Sequence, residues 1–304
     1  MASRALIIGY GSVGKRHAQI LKSMDDISSI SVLSSQKNLP FETIKSLEDI
    51  SDWDPDYVII ASSTALHYEQ LCFLENNLHG KKILVEKPLF ESKYAFDVKN
   101  NQIFVGYNLR FHPIIQKIRE FTSGINLWNI QVFCGSYLPD WRPGVDYRKT
   151  SSAKKDSGGG VLLDLSHELD YTKMLAGSMI IEHAVSNKIS DLEIETEDLL
   201  ILSGKTLEGV NVHISLNYFT QIPIRQILID GKGISIRGDL ISNTLKVMKC
   251  GKSSFFSFPE LERNRTYTSQ HSSILKNDHS IICSLHEGLE TMDLIDQIQS
   301  IVSL

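Results

Sequence analysis

The chain has no long hydrophobic run, no cysteine pattern and no excess of basic charge. Apolar residues make up 42% of its 304 positions, but they fall in short runs, none near the roughly 20 residues that a membrane-spanning helix needs. The four cysteines (Cys72, Cys134, Cys250 and Cys283) are widely spaced and form no CxxC pair. A disulfide framework and a zinc site are therefore not expected, and no metal is assigned. The cysteines read as reduced, mostly buried thiols of a cytoplasmic protein. The apolar run Ala5–Ile8 behind Arg4 is too short for a signal-peptide core. Basic side chains number 31 against 36 acidic ones, a net charge of −5, which argues against a general nucleic-acid binder. No internal repeat and no low-complexity linker interrupts the sequence. The length suits two domains of ordinary size.

What is present is a succession of short, continuously apolar runs. Ala5–Gly9, Ile30–Leu33, Tyr57–Ala61, Lys82–Glu86 and Ile103–Gly106 have the character of strands buried on both faces of a parallel sheet. Helical spacing separates several of them, over about 12–24 and 65–77, so the first part of the chain is expected to be a doubly wound parallel sheet. Beyond Asn108 the pattern changes. Helices are expected over 113–121 and 160–177, with a polar, arginine-bearing loop over about 138–157. From Ile180 to Val247, β-type runs recur at hairpin spacing with glycines at the turns. An apolar stripe from Leu285 to Ile301 predicts a last helix over about 278–302. The expected fold class is α/β: a Rossmann domain over 1–108, then an α+β domain over 109–304 with a large, mainly antiparallel, open-faced sheet. The last helix is expected to pack back toward the first domain.

Gly9-Tyr-Gly-Ser-Val-Gly14 follows the first strand and opens the first helix, the context in which a GxGxxG pattern holds a dinucleotide. Gly9 permits the tight turn, Gly11 lets the backbone approach a pyrophosphate, and Gly14 lets helix and strand pack closely. Ser12 and Val13 then begin a helix whose free N–H groups and positive dipole end face the phosphates. At the end of the second strand an NAD site would carry a carboxylate for the ribose hydroxyls. This chain has Ser34-Ser35-Gln36-Lys37, and Ser34, Ser35 and Lys37 can receive a 2′-phosphate. The reading leans to NADP, with NAD as the alternative.

Two further segments bear chemistry. Glu86-Lys87-Pro88 ends the fourth apolar run, and Gly158 to Asp170 contains Asp164 and His167, three apart and so on one face of the helix expected there. With Arg16-His17, Ala61-Ser-Ser-Thr-Ala-Leu-His67 and Gly106-Tyr-Asn-Leu-Arg-Phe-His112, they stand in the order found in the Gfo/Idh/MocA family of sugar and polyol dehydrogenases. The chain resembles that family over essentially its whole length. The resemblance implies that Lys87 reaches the substrate hydroxyl and the nicotinamide ribose, that Pro88 follows a cis peptide bond, and that Asp164 and His167 are the substrate-domain pair. It implies that Ser62, Thr64, His67 and Glu86 flank the nicotinamide half of the cofactor, and that the open sheet forms a homodimer or homotetramer contact. Two departures stand out. Asp164 and His167 are one residue closer than usual, and Leu89–Gln102 is short enough that one helix is expected to be trimmed or missing.

The implied chemistry is interconversion of a hydroxyl and a ketone on a sugar. A base must take the hydroxyl proton as hydride leaves the carbinol carbon. His167 is assigned as that base, Asp164 as its orienter or a substrate partner, and Lys87 as stabiliser of the developing alkoxide; exchange of roles between Lys87 and His167 stays open. Arg110 either touches substrate or closes a salt bridge, and His112 is read as structural. The loop Asp140-Trp-Arg-Pro-Gly-Val-Asp-Tyr-Arg148 resembles a form of the family found in surface-polysaccharide and unusual-sugar pathways. Trp141 and Tyr147 suit a sugar ring or base, and Arg142 and Arg148 suit an anionic group, as in a nucleotide-sugar or acidic sugar. The alternatives are a catalytically silent dinucleotide-binding regulator and glycosidic cleavage by transient oxidation. A nucleic-acid or membrane partner is not expected.

Overall fold

A computed structural model of the chain describes residues 2–302. The chain divides into two compact units, Met1–Phe111 with Arg263–Met292, and His112–Glu262 with Asp293–Leu304. The sequence reading places a single boundary after residue 108. The structure moves it by three residues and returns 263–292 to the first unit.

The first unit contains β1 (Ser3–Ile8), α1 (Ser12–Lys22), β2 (Ile27–Leu33), β3 (Glu42–Ile44), α2 (Ile50–Trp53), β4 (Tyr57–Ile60), α3 (His67–Asn77), β5 (Lys82–Val85) and β6 (Gln102–Val105). In the second unit come α4 (Pro113–Thr122), β7 (Leu127–Gly135), α5 (Val161–Asp164), α6 (His167–Ala176), β8 (Met179–Asn187), β9 (Leu199–Thr206), β10 (Asn211–Asn217), β11 (Ile224–Gly231), β12 (Ile234–Asp239), β13 (Thr244–Lys249) and β14 (Lys252–Ser257). The chain then supplies the first unit with α7 (Arg265–Leu275) and β15 (Cys283–Ser284). The last helix, α8 (Leu285–Val302), has its residues through Met292 in the first unit. It starts at 285 rather than 278, because Cys283–Ser284 pairs antiparallel with β6.

The sheet of the first unit has the order β15-β6-β5-β4-β1-β2-β3, parallel throughout apart from β15. Every residue of β4 is fully buried, as expected of a strand covered on both faces. Burying each of Val58, Ile59 and Ile60 stabilises the fold by roughly 1.5–3 kcal/mol. Ala5, Ile7, Tyr57, Ile59, Leu84 and Phe104 share one core cluster with Ala18 and Leu21 of α1 and Ile274 of α7. The chain leaves β1 and turns to the other side at the β1–β4 junction, and ligands of such sheets bind at the carboxyl ends of the strands there. Between β5 and β6 no helix forms. In its place Phe90, Tyr94 and Phe96 pack against Tyr68 of α3, with Tyr68 and Tyr94 stacked at 4.3 Å.

The second unit is built on an eight-stranded sheet of order β14-β13-β12-β11-β7-β10-β9-β8, in which only the β7–β10 pair is parallel. Alternate residues such as Ile130, Val132, Val212, Ile214, Ile227 and Ile229 are buried on one face, following the period-two geometry of a strand. The opposite face is open, with Val185, Ile201, Met248 and Phe255 between 43% and 68% exposed. Beneath the sheet, Arg225 donates to both oxygens of the fully buried Glu168 at 2.6 and 2.9 Å. Loss of one partner from such a pair typically costs about 3–5 kcal/mol, since a charge is left buried alone. All four cysteines are free thiols. Cys134 and Cys283 are buried, Cys72 is half-buried, and Cys250 is exposed, unlike the mostly buried set expected.

Candidate active site

The glycine motif sits where its chemistry requires. Gly9 leaves β1 at φ +93°, and a Cβ there would lie 2.6 Å from Ser62 N, so only glycine lets this turn approach the loop after β4. Gly14 lies against the carbonyl of Gly9, and a Cβ would overlap that oxygen. Gly11 differs from both. A Cβ there meets no protein atom within 4 Å, so this surface is open to something outside the fold. Above it begins α1, whose first turn holds no acidic residue and no side-chain cap. Its leading N–H groups, those of Ser12 and Val13 among them, are left for an anion. These features fit a dinucleotide pyrophosphate.

At the end of β2 the Gln36 side chain donates to Tyr10 O at 2.9 Å, tying this loop to the glycine turn. The Ser34 hydroxyl accepts from Gln36 N at 3.2 Å. Ser35 and Lys37 are exposed. In the loop after β4, the Ser62 hydroxyl donates to Gln70 at 2.7 Å, and Thr64 begins a single 3-10 turn leading into α3.

Lys87 is half-buried directly beyond β5, and its peptide bond to Pro88 is cis. The turn is held from two sides. Glu86 Oε2 accepts from Lys87 N at 3.2 Å. On the other side, His67 Nδ1 lies 3.2 Å from both Pro88 O and Leu89 O. Carbonyls only accept, so His67 donates. Burial favours its neutral ring and pulls its pKa down, and the proton sits on Nδ1, which is closer to its two carbonyls than Nε2 is to Ser62 O at 3.4 Å. Both residues were expected to flank a cofactor. They are 1% and 7% exposed, and what the structure gives them is support of the Lys87 turn. Arg110, a candidate for substrate contact, is 2% exposed and donates to Glu287 at 2.7 Å. It takes the structural alternative. His112 is structural as expected. It caps α4 by accepting from Ile114 N at 3.2 Å, and it bonds Asn243 at 3.2 Å.

In the second unit Asp164 and His167 do not lie on one continuous helix. The helix breaks at Leu165–Ser166, so Asp164 ends α5 and His167 opens α6. The Ser166 hydroxyl turns back to Leu163 O at 2.9 Å, a local bond that competes with helix continuation. The partner of Asp164 was not foreseen: the Tyr218 hydroxyl donates to its Oδ2 at 2.7 Å. Trp141 stands edge-on to Tyr218 at 5.2 Å, and its indole N–H donates to Ser136 at 2.8 Å. Glu197 was also missed. It accepts from Leu162 N at 3.2 Å and lies over Gly160, where a Cβ would overlap its carboxylate. Burial raises its pKa, and the charge of Asp164 adds to the rise. No local pattern marks Tyr218 or Glu197, since each reaches Asp164 from a different part of the sheet domain. Of the arginine loop, Trp141, Arg142 and Tyr147 line one small cleft. Arg148 stands apart from them, held by Asp146 at 2.9 Å and Glu193 at 3.3 Å. No group of residues able to hold a metal ion occurs among the described residues.

Residues 3–101 match the profile of the Gfo/Idh/MocA oxidoreductases, described as an NAD-binding Rossmann fold. The match covers the Rossmann part of the chain. Among curated relatives the chain is 27% identical over 194 residues to the uncharacterized oxidoreductase YrbE of Bacillus subtilis, a match covering 58% of this chain and 54% of YrbE. The chain thus spans about half the length of that relative. Among solved structures, levoglucosan dehydrogenase in complex with NADH superposes with a TM-score of 0.85 at 16% identity, covering 100% of this chain and 97% of that one. The WlbA dehydrogenase of Bordetella pertussis, in complex with NADH and UDP-GlcNAcA, gives 0.78 at 16% identity, covering 100% and 97%. At that identity the two structures establish the Rossmann-plus-open-sheet fold. No helix among the described residues is long and apolar enough to cross a membrane.

Proposed function

We propose that this protein is an NAD(P)-dependent oxidoreductase that interconverts a hydroxyl and a ketone on a sugar or nucleotide-sugar. The observation that carries this reading is the Lys87 turn. A lysine is held at the carboxyl end of β5 by Glu86 and His67, in the same unit as an open Gly11 cradle at the carboxyl end of β1. Bound nicotinamide supplies a two-electron hydride acceptor. Lys87 Nζ stabilises the developing alkoxide. In the second unit His167 accepts the hydroxyl proton, and Asp164, fixed by the Tyr218 hydroxyl, orients the sugar. Trp141 and Tyr147 offer faces for a ring, and Arg142 with Lys154 and Lys155 offers positive charge for an anionic substituent. Arg148 is left out of that set, because two carboxylates already hold it. Lys37 and the hydroxyls of Ser34 and Ser35 favour NADPH over NADH. Four free thiols suit a reducing compartment such as the cytoplasm, and the open sheet face suits a homodimer or homotetramer.

Calorimetric titration of the folded chain with NADH and NADPH tests the reading. Binding of either, followed by a sugar-dependent change in nicotinamide absorbance that Lys87→Met abolishes, is the expected result. A folded chain that binds neither form overturns the proposal.

A further inference from the structure

Four buried side chains of the first unit form a run of hydrogen bonds of which the proposed function uses Glu86 alone. Glu86 Oε1 lies 2.9 Å from His17 Nε2. His17 Nδ1 lies 2.9 Å from His271 Nε2. His271 Nδ1 lies 2.9 Å from the Tyr57 hydroxyl. The residues come from the end of β5, from α1, from α7 and from β4. His17, His271 and Tyr57 are fully buried.

With both rings neutral, the Glu86 end fixes the order of protons. Glu86 as a carboxylate only accepts, so His17 Nε2 must donate. A neutral imidazole with its proton on Nε2 offers Nδ1 as an acceptor. His271 must then carry its proton on Nε2, which leaves its Nδ1 to accept from Tyr57. Every donor in the run points toward Glu86. The surroundings of His271 agree with a neutral ring. Burial, then His17, holds His271 well below the usual histidine range, and burial, then Glu86, holds Tyr57 well above the usual phenol range. Tyr267 also faces His17, edge-on at 5.4 Å, and burial, then Glu86, pushes its phenol up to about 12. Arg16 stands over the Tyr267 ring at 5.2 Å, and His67 is the other titratable group influenced by Glu86.

The run ends on Tyr57, whose hydroxyl is sealed in the core, so it leads no proton to water. What it does is hold Glu86. That carboxylate also packs against Gly106, where a Cβ would lie 2.9 Å from Oε1, and its second oxygen accepts from Lys87 N.

We propose that Tyr57, His271 and His17 are positioning residues for Lys87: a one-way hydrogen-bonded strut that fixes the Glu86 carboxylate and, through it, the backbone from which the lysine amine projects. The proposal rests on Lys87 being the reactive amine of the site.

The test uses the full chain labelled with 15N-histidine, with resonances assigned through His17→Gln and His271→Gln. Long-range 1H–15N spectra are expected to show both rings neutral at neutral pH, with the proton on Nε2. Tyr57→Phe removes the last donor and is expected to shift both ring signals. It is also expected to change the rate of Lys87 acetylation by acetic anhydride several-fold while exposed Lys205 is unaffected. Gly106→Ala, which displaces Glu86 from its other side, is expected to do the same to Lys87. A protonated His17, or a His17 proton on Nδ1, overturns the proposal, as does wild-type Lys87 reactivity in both variants. Should Tyr57→Phe not fold, the wild-type spectra and Gly106→Ala decide. Titration of wild type with NADH and NADPH separates the two levels: binding of neither overturns the reading of the site, whereas binding of either with unchanged Lys87 reactivity overturns the strut alone.

Discussion

Two glycines of one motif make opposite demands on the chain. Gly14 faces the Gly9 carbonyl, so Gly14→Ala must move backbone and is expected to lower the melting temperature. Gly11 has ordinary helix-entry angles, φ −72° and ψ −164°, and open space where a Cβ would sit. Gly11→Ala is therefore expected to keep wild-type stability while weakening dinucleotide binding about tenfold or more, because the methyl fills the approach to the phosphates. Thermal melts and titration with NADH and NADPH check both halves. Equal loss of stability in the two variants would mean that Gly11 serves the fold and not a ligand. At this scale the motif residues were legible in the sequence and their partners were not. Arg110, His67 and Glu86 stand in recognisable motifs, yet their burial and hydrogen-bond partners are properties of the packed chain.

At the scale of elements, legibility followed the apolar pattern. The buried strands β1, β4, β5 and β6 show continuous apolar runs and were found near their true bounds. Helix α7 escaped, because its buried face is largely polar: Thr266, Gln270, His271 and Ser273 lie on it with Ile274. The break between α5 and α6 escaped too, since Leu165–Ser166 fits a helical pattern and only the Ser166 bond to Leu163 O marks the turn. The start of α4 carries a pH dependence. His112 caps it from a buried position, and burial lowers its pKa from 6.5 to about 4. Unfolded chains take up this proton below about pH 6.5 while the folded protein resists until about pH 4, so stability falls as pH drops through that window. The full effect is about 3 kcal/mol at most. His67 and His271 are depressed in the same direction. His112→Asn keeps a capping side chain and removes this titration, so its urea midpoint is expected to fall less steeply between neutral and acidic pH than that of wild type. Parallel curves for the two proteins would refute this.

At the scale of the whole molecule, the proposed homo-oligomer rests on the open face of the larger sheet. Val185 and Ile201 are register partners on adjacent strands and remain 49% and 47% exposed. Exposed apolar residues on a sheet face suit a protein partner, proposed above to be a second copy of this chain. Sedimentation of the wild-type protein is expected to show a dimer or tetramer. Ile201→Glu places a charge on that face, where burial is costly, and is expected to shift the mass toward the monomer with the melting behaviour of the isolated chain retained. A wild-type monomer at all concentrations would refute the assignment.

By itself the sequence determined the fold class, the positions of most strands along the chain and the residue types at the glycine turn and at Glu86-Lys87-Pro88. Those features rest on local rules: burial on two faces requires unbroken apolar runs, and tight turns require glycine. Only the tertiary structure decided the return of residues 263–292 to the first unit, the pairing of Asp164 with Tyr218 and the strut that joins Glu86, His17, His271 and Tyr57. His17 and His271 lie 254 positions apart in the chain. A hydrogen bond between such residues exists because α1 and α7 share a core with β4, and neither segment carries a local trace of the other.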